Sequence, residues 1–183
     1  MFGHTNEPFL LTRDVTAVII PAGEKVSLQK DTNGFITQAL GGSFTVYVEG
    51  NLFRISGIDA DALGKDPIPP PEIPKDATND DIEEVIWKQL KTCYDPEIPV
   101  DIVNLGLIYR CDINVLANGK RSVEIDMTLT APGCGMGDVL VADAREKIAI
   151  IPTVSDVKIE LVFDPPWNVN LMSEEAKLQT GLM

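Results

Sequence analysis

The first third of the chain alternates short runs of apolar and β-branched residues with glycine-containing turns. The clearest run is residues 43–48, where Phe44, Val46 and Val48 alternate with more polar neighbours. Short strands at regular spacing, separated by glycine turns, are typical of a small barrel or sandwich. Residues 1–64 are therefore predicted to form a small all-β domain, with strands at residues 15–20, 25–28, 34–40, 43–48 and 52–55.

A proline-rich segment follows and separates two different patterns. Residues 66–76 read DPIPPPEIPKD. Proline fixes φ, lacks a backbone N–H and forces the preceding residue into extended geometry, so a helix or a central strand is excluded here. We therefore predict a stiff, polyproline-type linker over residues 65–76. A second domain is predicted over residues 77–173, with a tail over residues 174–183.

The second domain switches between helical and strand periodicity. A helix capped by Thr78 or Asn79 is predicted by an apolar stripe that ends at Leu90 and Cys93. A hairpin is predicted around Asn118-Gly119, because that dipeptide favours a tight turn between alternating strands. In the return strand, Thr128 is predicted on the outer face with Glu124 and Asp126. The order α-β-β-α-β indicates an α+β domain with helices on one face; its later elements are strands at 107–115, 122–129 and 157–163, and helices at 138–148 and 173–178.

Composition and charge narrow the classes of function. Of 183 residues, 44% are hydrophobic and 23% are charged, which is ordinary for a globular protein with a real core. Fifteen basic and 28 acidic residues give a formal net charge of −13, which disfavours nucleic acid and anionic membranes as partners. No apolar run is long enough to cross a bilayer, and no secretory signal pattern opens the sequence. We therefore expect a cytoplasmic protein that binds neither nucleic acid nor membrane.

The three cysteines and the one histidine exclude several kinds of site. Cys93, Cys111 and Cys134 are widely spaced and form no CxxC pair, so no disulfide framework is predicted. A closed zinc site would require all three thiols and His4 to converge. With one histidine near the N-terminus, a Ser–His–Asp or Cys–His catalytic site is not expected. Cys93 and Cys111 fit the apolar patterns and are interpreted as core residues.

The strongest candidate for chemistry is the glycine-rich loop TAPGCGMG at residues 130–137. The start of the predicted helix after it favours negative charge, so a thiolate at Cys134 would be stabilised. A thiolate is both a nucleophile and a soft metal ligand, which suits iron or an iron–sulfur cluster. The structural alternative is a tight turn with an incidental buried cysteine. The supporting loop residues, whose glycines remove every Cβ around the thiol, are Thr130, Pro132, Gly133, Gly135 and Gly137.

A second candidate is the acidic segment, which we define as residues 95–106, DPEIPVDIVNLG. Its carboxylates and amide, at Asp95, Glu97, Asp101 and Asn104, offer hard ligands to ferrous iron or acceptors that orient the thiol loop. Turn formation explains the same residues, because Asp and Asn often bond to their own backbone. Spacing alone leaves both interpretations open. Trp167, in DPPW, is interpreted as a packing residue.

The segments DPEIPVDIVNLGLIY and TLTAPGCGMGDVL together resemble the metal–sulfur cluster biosynthesis domain family. That family includes the phenylacetate-degradation protein PaaD and the eukaryotic cytosolic iron–sulfur assembly factors, and the resemblance spans about residues 76–172. The β-rich first half, the linker and APGCGMG resemble its SufT branch. The resemblance implies that Cys134 is the reactive cysteine, and that Asp95, Glu97 and Asn104 are the acidic and amide positions. Two features depart from relatives: no cysteine follows Cys134, unlike PaaD-type proteins, and Gly135 replaces a common proline.

The function implied by the resemblance is accessory and not enzymatic: delivery of a cluster or iron to client proteins, together with the iron–sulfur assembly machinery. A cluster usually needs about four thiolates, so we expect transient ligation by a homodimer or by a complex with a partner. Three alternatives remain. They are a PaaD-like accessory subunit of an aromatic ring oxygenation complex, a cysteine-nucleophile enzyme with an acidic residue, Lys120 or Lys147 as base, and an adaptor whose β domain docks a partner.

Overall fold

The chain divides into two compact units, Met1–Pro69 and Pro70–Met183. The structure is a computed structural model that describes residues 4–95, 98–133 and 135–182. The division falls within the predicted linker, residues 65–76. Each unit contains one β-sheet, and the mixed α+β class predicted from the sequence is confirmed. None of the helices in the described ranges is long and apolar enough to cross a bilayer.

Unit 1 is built on a six-stranded antiparallel sheet with the order β1-β4-β5-β6-β2-β3. Its first strand was not predicted, because Pro8 and the polar residues around it interrupt the alternating pattern; a proline is tolerated here because β1 is an edge strand. A 3₁₀ helix at Gly57–Leu63, also not predicted, follows the sheet. The strands are β1 (His4–Leu10), β2 (Val15–Ile20), β3 (Lys25–Leu28), β4 (Asn33–Leu40), β5 (Ser43–Val48) and β6 (Asn51–Ser56).

The inner face of this sheet forms the core of unit 1. Leu11, Ile36, Val46 and Ile55 are fully buried there. An ion-pair cluster fastens the β1–β2 connection to the 3₁₀ helix: the Arg13 guanidinium contacts Asp61 at 2.6 Å and Asp59 at 2.9 Å. The same bonds lower the pKa of Asp61.

One row on the outer face of the same sheet is apolar. Pro8, Phe35, Tyr47, Leu52 and Ile20 are directly opposed across five neighbouring strands, and directly opposed residues share a face. Phe35 is 47% exposed and Tyr47 is 43% exposed. A sheet face that meets only water is usually polar throughout. The outer face of this sheet differs, because it carries one apolar row.

Unit 2 contains a three-stranded sheet with β8 (Arg121–Met127) at its centre. β7 (Ile108–Val115) pairs with it antiparallel and β9 (Val154–Leu161) pairs with it parallel. A parallel neighbour requires a crossover connection, and α2 (Gly137–Ala149) supplies it. β9 begins three residues before its predicted start, because its register is set by pairing along β8.

The helices and the strands of unit 2 contribute buried residues to one hydrophobic core. The predicted apolar stripe of α1 (Asn79–Leu90) is confirmed, since Ile82, Ile86 and Leu90 are fully buried. Cys93 is buried as predicted, and Cys111 is half-buried against the same core. Ala176 of α3 (Glu174–Thr180), within the predicted tail 174–183, is buried in this core as well.

The first turn of α1 is held by a reciprocal capping box. Of the two caps considered, Thr78 is the one observed: its hydroxyl accepts from the Asp81 N–H at 3.3 Å, and its own N–H donates to the Asp81 carboxylate at 2.8 Å. A carboxylate that accepts such bonds is stabilised in its charged form. The Asp81 carboxylate accepts from the Thr78 N–H and from the Thr78 hydroxyl, both at 2.8 Å, and these two bonds lower the pKa of Asp81 from its usual value of 3.8.

We expect Asp81→Asn to remove stability at neutral pH and to make no difference in strong acid. The native pKa of Asp81 lies below the unfolded value, so its stabilising contribution is present above 3.8 and is lost as the pH falls through the native pKa. Urea unfolding of both proteins at neutral pH and at about pH 2.5 measures this. Asp80→Asn, in the same turn but outside the box, is the control. A difference in unfolding free energy between the wild type and Asp81→Asn that stays constant with pH would contradict the stabilising role of the Asp81 carboxylate.

Candidate functional site

The candidate site lies at the end of the unit 2 sheet where β7 starts and where β8 and β9 end. The Thr128 N–H donates to the Leu107 carbonyl at 2.8 Å, and the Val162 N–H donates to the Met127 carbonyl at 2.8 Å. These bonds bring together the residue directly after the acidic segment, the end of β8 just before the glycine-rich loop, and the segment that follows β9. The structure therefore places the two segments with candidate chemistry side by side, which their spacing in the sequence did not predict.

Asp101 organises the second half of the acidic segment. Its Oδ1 accepts from the N–H groups of Val103 and Asn104, at 3.1 and 2.9 Å, and its Oδ2 accepts from Asn104 Nδ2 at 2.7 Å. Such bonds from a side chain to its neighbouring backbone define an Asx-type turn. Asp101 and Asn104 therefore bind each other, and turn formation accounts for both.

Asp95 folds the first half of the segment. It is buried, and its Oδ1 accepts from the Ile98 N–H at 2.9 Å. Its own N–H donates to the Val100 carbonyl at 3.2 Å, while the Ile102 N–H reaches the Cys93 carbonyl at 2.9 Å. Its position is therefore set by the local loop. Glu97, the other predicted carboxylate, lies outside the described residues.

Gly106 allows the segment after β9 to approach closely. Its φ is +75°, and a Cβ atom there would overlap the Leu171 backbone, at 2.8 Å from the carbonyl carbon. A side chain would be strained by the φ and blocked by the contact. This residue was not among the predicted site residues, although a glycine directly after Asn-Leu in a loop was a signal that could have identified it.

The residues of the glycine-rich loop have different structural roles. Thr130 is half-buried, whereas Pro132, Gly133 and Gly135 are exposed. Gly133 has φ +79°, and no described atom lies within 4 Å of where its Cβ would be. Gly137 is needed for packing, because its Cβ would lie 2.8 Å from Leu129 Cδ1. Cys134 lies outside the described residues, so its ionisation and accessibility stay predictions.

The loop leads into the start of α2, which lacks the type of cap seen on α1. Met136 occupies the N-cap position with φ −94° and ψ −1°, and its side chain makes no capping bond within the described part of the chain. The first N–H groups of a helix have no intrahelical partners and favour negative charge nearby. The end of α2 that adjoins the loop is therefore electrostatically suited to an anion.

Thr128 differs from its prediction. It was expected on the outer, solvent-facing side of the return strand, but it is only 1% exposed, and its hydroxyl has no hydrogen-bond partner among the described residues. The Tyr109 hydroxyl, on β7, donates to the Pro165 carbonyl beyond β9 at 2.8 Å, which links the strands on either side of β8. The alternation of polar and apolar residues along β8 did not predict that Thr128 is buried.

Neither of the two thiols that the structure describes is suited to chemistry at neutral pH. Burial raises the pKa of Cys111 to about 11, and the carboxylates of Glu83 and Asp112 add to the effect. Cys93 is fully buried in the core. Within residues 4–95, 98–133 and 135–182, no group of three or more His, Cys, Asp or Glu side chains is placed to hold a metal ion.

The two lysines considered as catalytic bases lie far from the start of α2. Lys147 is about 15 Å further along the helix, where its ammonium donates to the Thr92 carbonyl at 2.8 Å and pairs with Asp143 at 3.3 Å. Lys120 directly precedes β8, at the opposite end of that strand from Thr128. Neither lysine is therefore placed at the end of the sheet where the glycine-rich loop begins.

Comparison with known proteins gives consistent matches to the second part of the chain. A family model described as "Iron-sulfur cluster assembly protein" matches residues 83–161. The chain is 48% identical over 101 residues to a Fe-S protein maturation auxiliary factor of Porphyromonas gingivalis, covering 55% of this chain and 92% of that protein. It is 42% identical over 88 residues to the factor SufT of Staphylococcus aureus, covering 48% and 96%. It is 38% identical over 101 residues to the factor YitW of Bacillus subtilis, covering 55% and 95%.

These matches confirm the family predicted from the paired motifs. The part matched by the family model contains both the acidic segment and the glycine-rich loop, which the structure brings to one end of the sheet. The chain also covers nearly the whole length of relatives that are 38–48% identical to it. The protein therefore belongs to the iron–sulfur cluster assembly protein family.

Proposed function

We propose that this protein is a cytoplasmic accessory factor in iron–sulfur protein maturation. It assists the delivery of a cluster or of iron to client proteins, together with the assembly machinery, and does not turn over a metabolite. The observation that carries the proposal is the 48% identity to a Fe-S protein maturation auxiliary factor over 92% of that protein's length. The meeting of the acidic segment and the glycine-rich loop at one end of the sheet supports it.

In this proposal Cys134 is the group that contacts iron. The thiol would lose its proton to the solvent on ligation, because the thiolate is the metal ligand. The uncapped start of α2 supports an anion at this end of the loop. Thr130, Pro132 and the glycines at 133, 135 and 137 shape the loop around the thiol. Since a cluster usually needs about four thiolates, the others come from a second copy of this chain or from a partner, and the ligation is transient.

The acidic segment has a supporting role in the proposal. Asp101 and Asn104 already bind each other, and Asp95 bonds to the Ile98 N–H, so these three groups shape the segment. Glu97 is the remaining carboxylate, and its proposed role is that of an iron ligand or of an acceptor for the thiol loop. The proposal therefore has two candidate iron ligands, Cys134 in the glycine-rich loop and Glu97 in the acidic segment.

The enzyme alternative has less support. A cysteine nucleophile needs a base within hydrogen-bond reach, and the positions of Lys120 and Lys147 argue against both lysines in that role. The PaaD-like and adaptor alternatives stay predictions.

We expect Cys134→Ser to reduce the activity of iron–sulfur client enzymes to the level of a strain that lacks the gene. Cys111→Ser is the matched control, because that thiol is half-buried with a raised pKa and should be dispensable. Client activity in extracts of the complemented strains is the measurement. Full complementation by Cys134→Ser would sink the proposed role of the thiol.

The same variants test iron binding directly. Wild-type protein and Cys111→Ser, reconstituted without oxygen with ferrous iron and sulfide, should show charge-transfer absorption and a Mössbauer spectrum of thiolate-bound iron. Cys134→Ser should lack both signals. Equal spectra from all three proteins would place the iron elsewhere.

A further inference from the structure

The segment after β9, residues 162–173, contacts three successive residues of the acidic segment. Trp167 Nε1 donates to the Leu105 carbonyl at 2.7 Å, and the Ser173 N–H donates to the Asn104 carbonyl at 2.8 Å. Between them, the Leu171 backbone lies against Gly106 so closely that no Cβ fits there. The family match ends at residue 161, so it assigns no role to this segment.

The segment is anchored at several points along its length. The Tyr109 hydroxyl holds the Pro165 carbonyl, and Met172 is buried in the core of unit 2. Trp167 itself is half-buried against that core, beside the fully buried Leu105. Two prolines directly before Trp167 restrict the backbone. The segment is therefore held to the domain independently of its bonds to the acidic segment.

A short chain of bonds connects Trp167 to the glycine-rich loop. Trp167 holds the Leu105 carbonyl, and two residues later the Leu107 carbonyl accepts from the N–H of Thr128, which lies two residues before that loop begins. Asn104 is fixed twice, through its carbonyl by Ser173 and through its side chain by Asp101. The turn between these points also has its own backbone bonds, among them Leu105 N–H to the Asp101 carbonyl and Gly106 N–H to the Val103 carbonyl, both at 3.0 Å. The indole adds a bond from outside the turn, and its loss should loosen the turn without unfolding it.

We infer that residues 162–173 form a clamp on the acidic segment, and that Trp167 is its positioning residue. The clamp holds the acidic segment in register with the start of the glycine-rich loop. This inference rests on the proposed function, because the groups it positions are those proposed to support Cys134. Trp167 does not contact iron; it acts through the Leu105 peptide.

Trp167→Phe tests the clamp, because it keeps an aromatic ring and removes the indole N–H. Trp87→Phe is the matched control: its ring is also half-buried against the core of unit 2, but its indole donates to Glu83 at 3.3 Å, in an exposed bond within α1 and not to the acidic segment. The first measurement is the alkylation profile of Cys134, the time course of its reaction with iodoacetamide at one neutral pH in the folded protein, with the labelled cysteine identified by peptide mass spectrometry. We expect Trp167→Phe to change the rate of this reaction at least about fivefold and Trp87→Phe to leave it unchanged.

A second measurement does not depend on the function of Cys134. Amide hydrogen exchange at residues 102–107 should speed up at least about fivefold in Trp167→Phe and stay constant in Trp87→Phe. Unchanged exchange in a folded Trp167→Phe protein would overturn the clamp. Faster exchange with an unchanged alkylation profile would overturn the positioning role and leave only a structural one.

The outcomes for the clamp and for the proposed function are separable. Full complementation by Cys134→Ser would overturn the function, while the exchange measurement would still decide the clamp. If Trp167→Phe does not fold, Ser173→Pro replaces it, because it removes the N–H that holds Asn104 and its φ of −63° suits proline. Ser173→Ala is the control, because it loses the same α3-capping hydroxyl, which accepts from the Ala176 N–H, but keeps the Ser173 N–H. The same increase in exchange is then expected in Ser173→Pro, and its absence would overturn the clamp.

Discussion

Replacing Lys147 with alanine should lower the free energy of unfolding of unit 2 by about 3–5 kcal/mol, the cost of removing one partner from a buried ion pair. The Lys147 ammonium donates to the Thr92 carbonyl, just beyond α1, at 2.8 Å and contacts Asp143 within α2 at 3.3 Å. The side chains of the pair are only 10% and 9% exposed. Alanine would leave a carbonyl and a carboxylate in a low-dielectric environment without this cation.

Chemical denaturation followed by the tryptophan fluorescence of unit 2 measures the change. Lys88→Ala is the matched control, because Lys88 forms an i,i+4 pair with Glu84 on the exposed side of α1, and such pairs contribute about 0.5 kcal/mol or less. Replacing both partners, as Lys147→Met with Asp143→Leu, should cost much less than Lys147→Ala alone. Similar losses for Lys147→Ala and Lys88→Ala would contradict the assignment of a buried pair.

Gly106→Ala should destabilise unit 2 by about 2–5 kcal/mol. The left-handed φ of +75° costs an alanine roughly 1–2 kcal/mol. The added methyl group also lies 2.8 Å from the Leu171 carbonyl carbon and 2.9 Å from its Cβ, and overpacking of this kind costs about 1–3 kcal/mol. The variant should also release the segment after β9, which limited proteolysis of residues 162–173 would detect.

Gly119→Ala separates the two contributions. Gly119 has φ +79°, but its Cβ would meet nothing within 4 Å among the described atoms. It should therefore show the backbone cost alone, and the difference between the two variants measures the contact with Leu171. An equal loss of unfolding free energy in Gly106→Ala and Gly119→Ala would mean that the segment after β9 does not contact Gly106 closely.

Most elements of the fold were predictable because their patterns are local. The stripe on α1 and the alternation along β8 follow from the burial of one face, and Asn118-Gly119 marks the hairpin turn. β1 was missed because its pairing with β4 joins residues far apart in the chain, and the polar residues around Pro8 carry no strand signal. The start of β9 was set too late because its register depends on β8.

The residues of the candidate site also form two groups, those that the sequence predicted and those that it did not. Cys134 stood out because glycines flank it on both sides, and the carboxylates of the acidic segment stood out because three of them lie within seven residues. The burial of Thr128 and the bond from the Trp167 indole to the Leu105 carbonyl were not predicted, because both depend on tertiary structure. The sequence contains the signal for Gly106, a glycine directly after Asn-Leu in a loop. The physical reason for this glycine is the close contact with Leu171, which only the structure shows.

Residue order alone sufficed for the two patterns, the proline-rich division and the family, since each depends on neighbouring residues or on short motifs. It also selected Cys134 as the candidate reactive thiol, and that role stays a prediction. Only the tertiary structure brings the acidic segment close to the glycine-rich loop and shows that Lys120 and Lys147 lie away from that end of the sheet. It also places the segment after β9 across Asn104-Leu105-Gly106. These outcomes depend on hydrogen bonds and close contacts between segments distant in the chain, and such contacts form only when the β7–β8–β9 sheet is assembled.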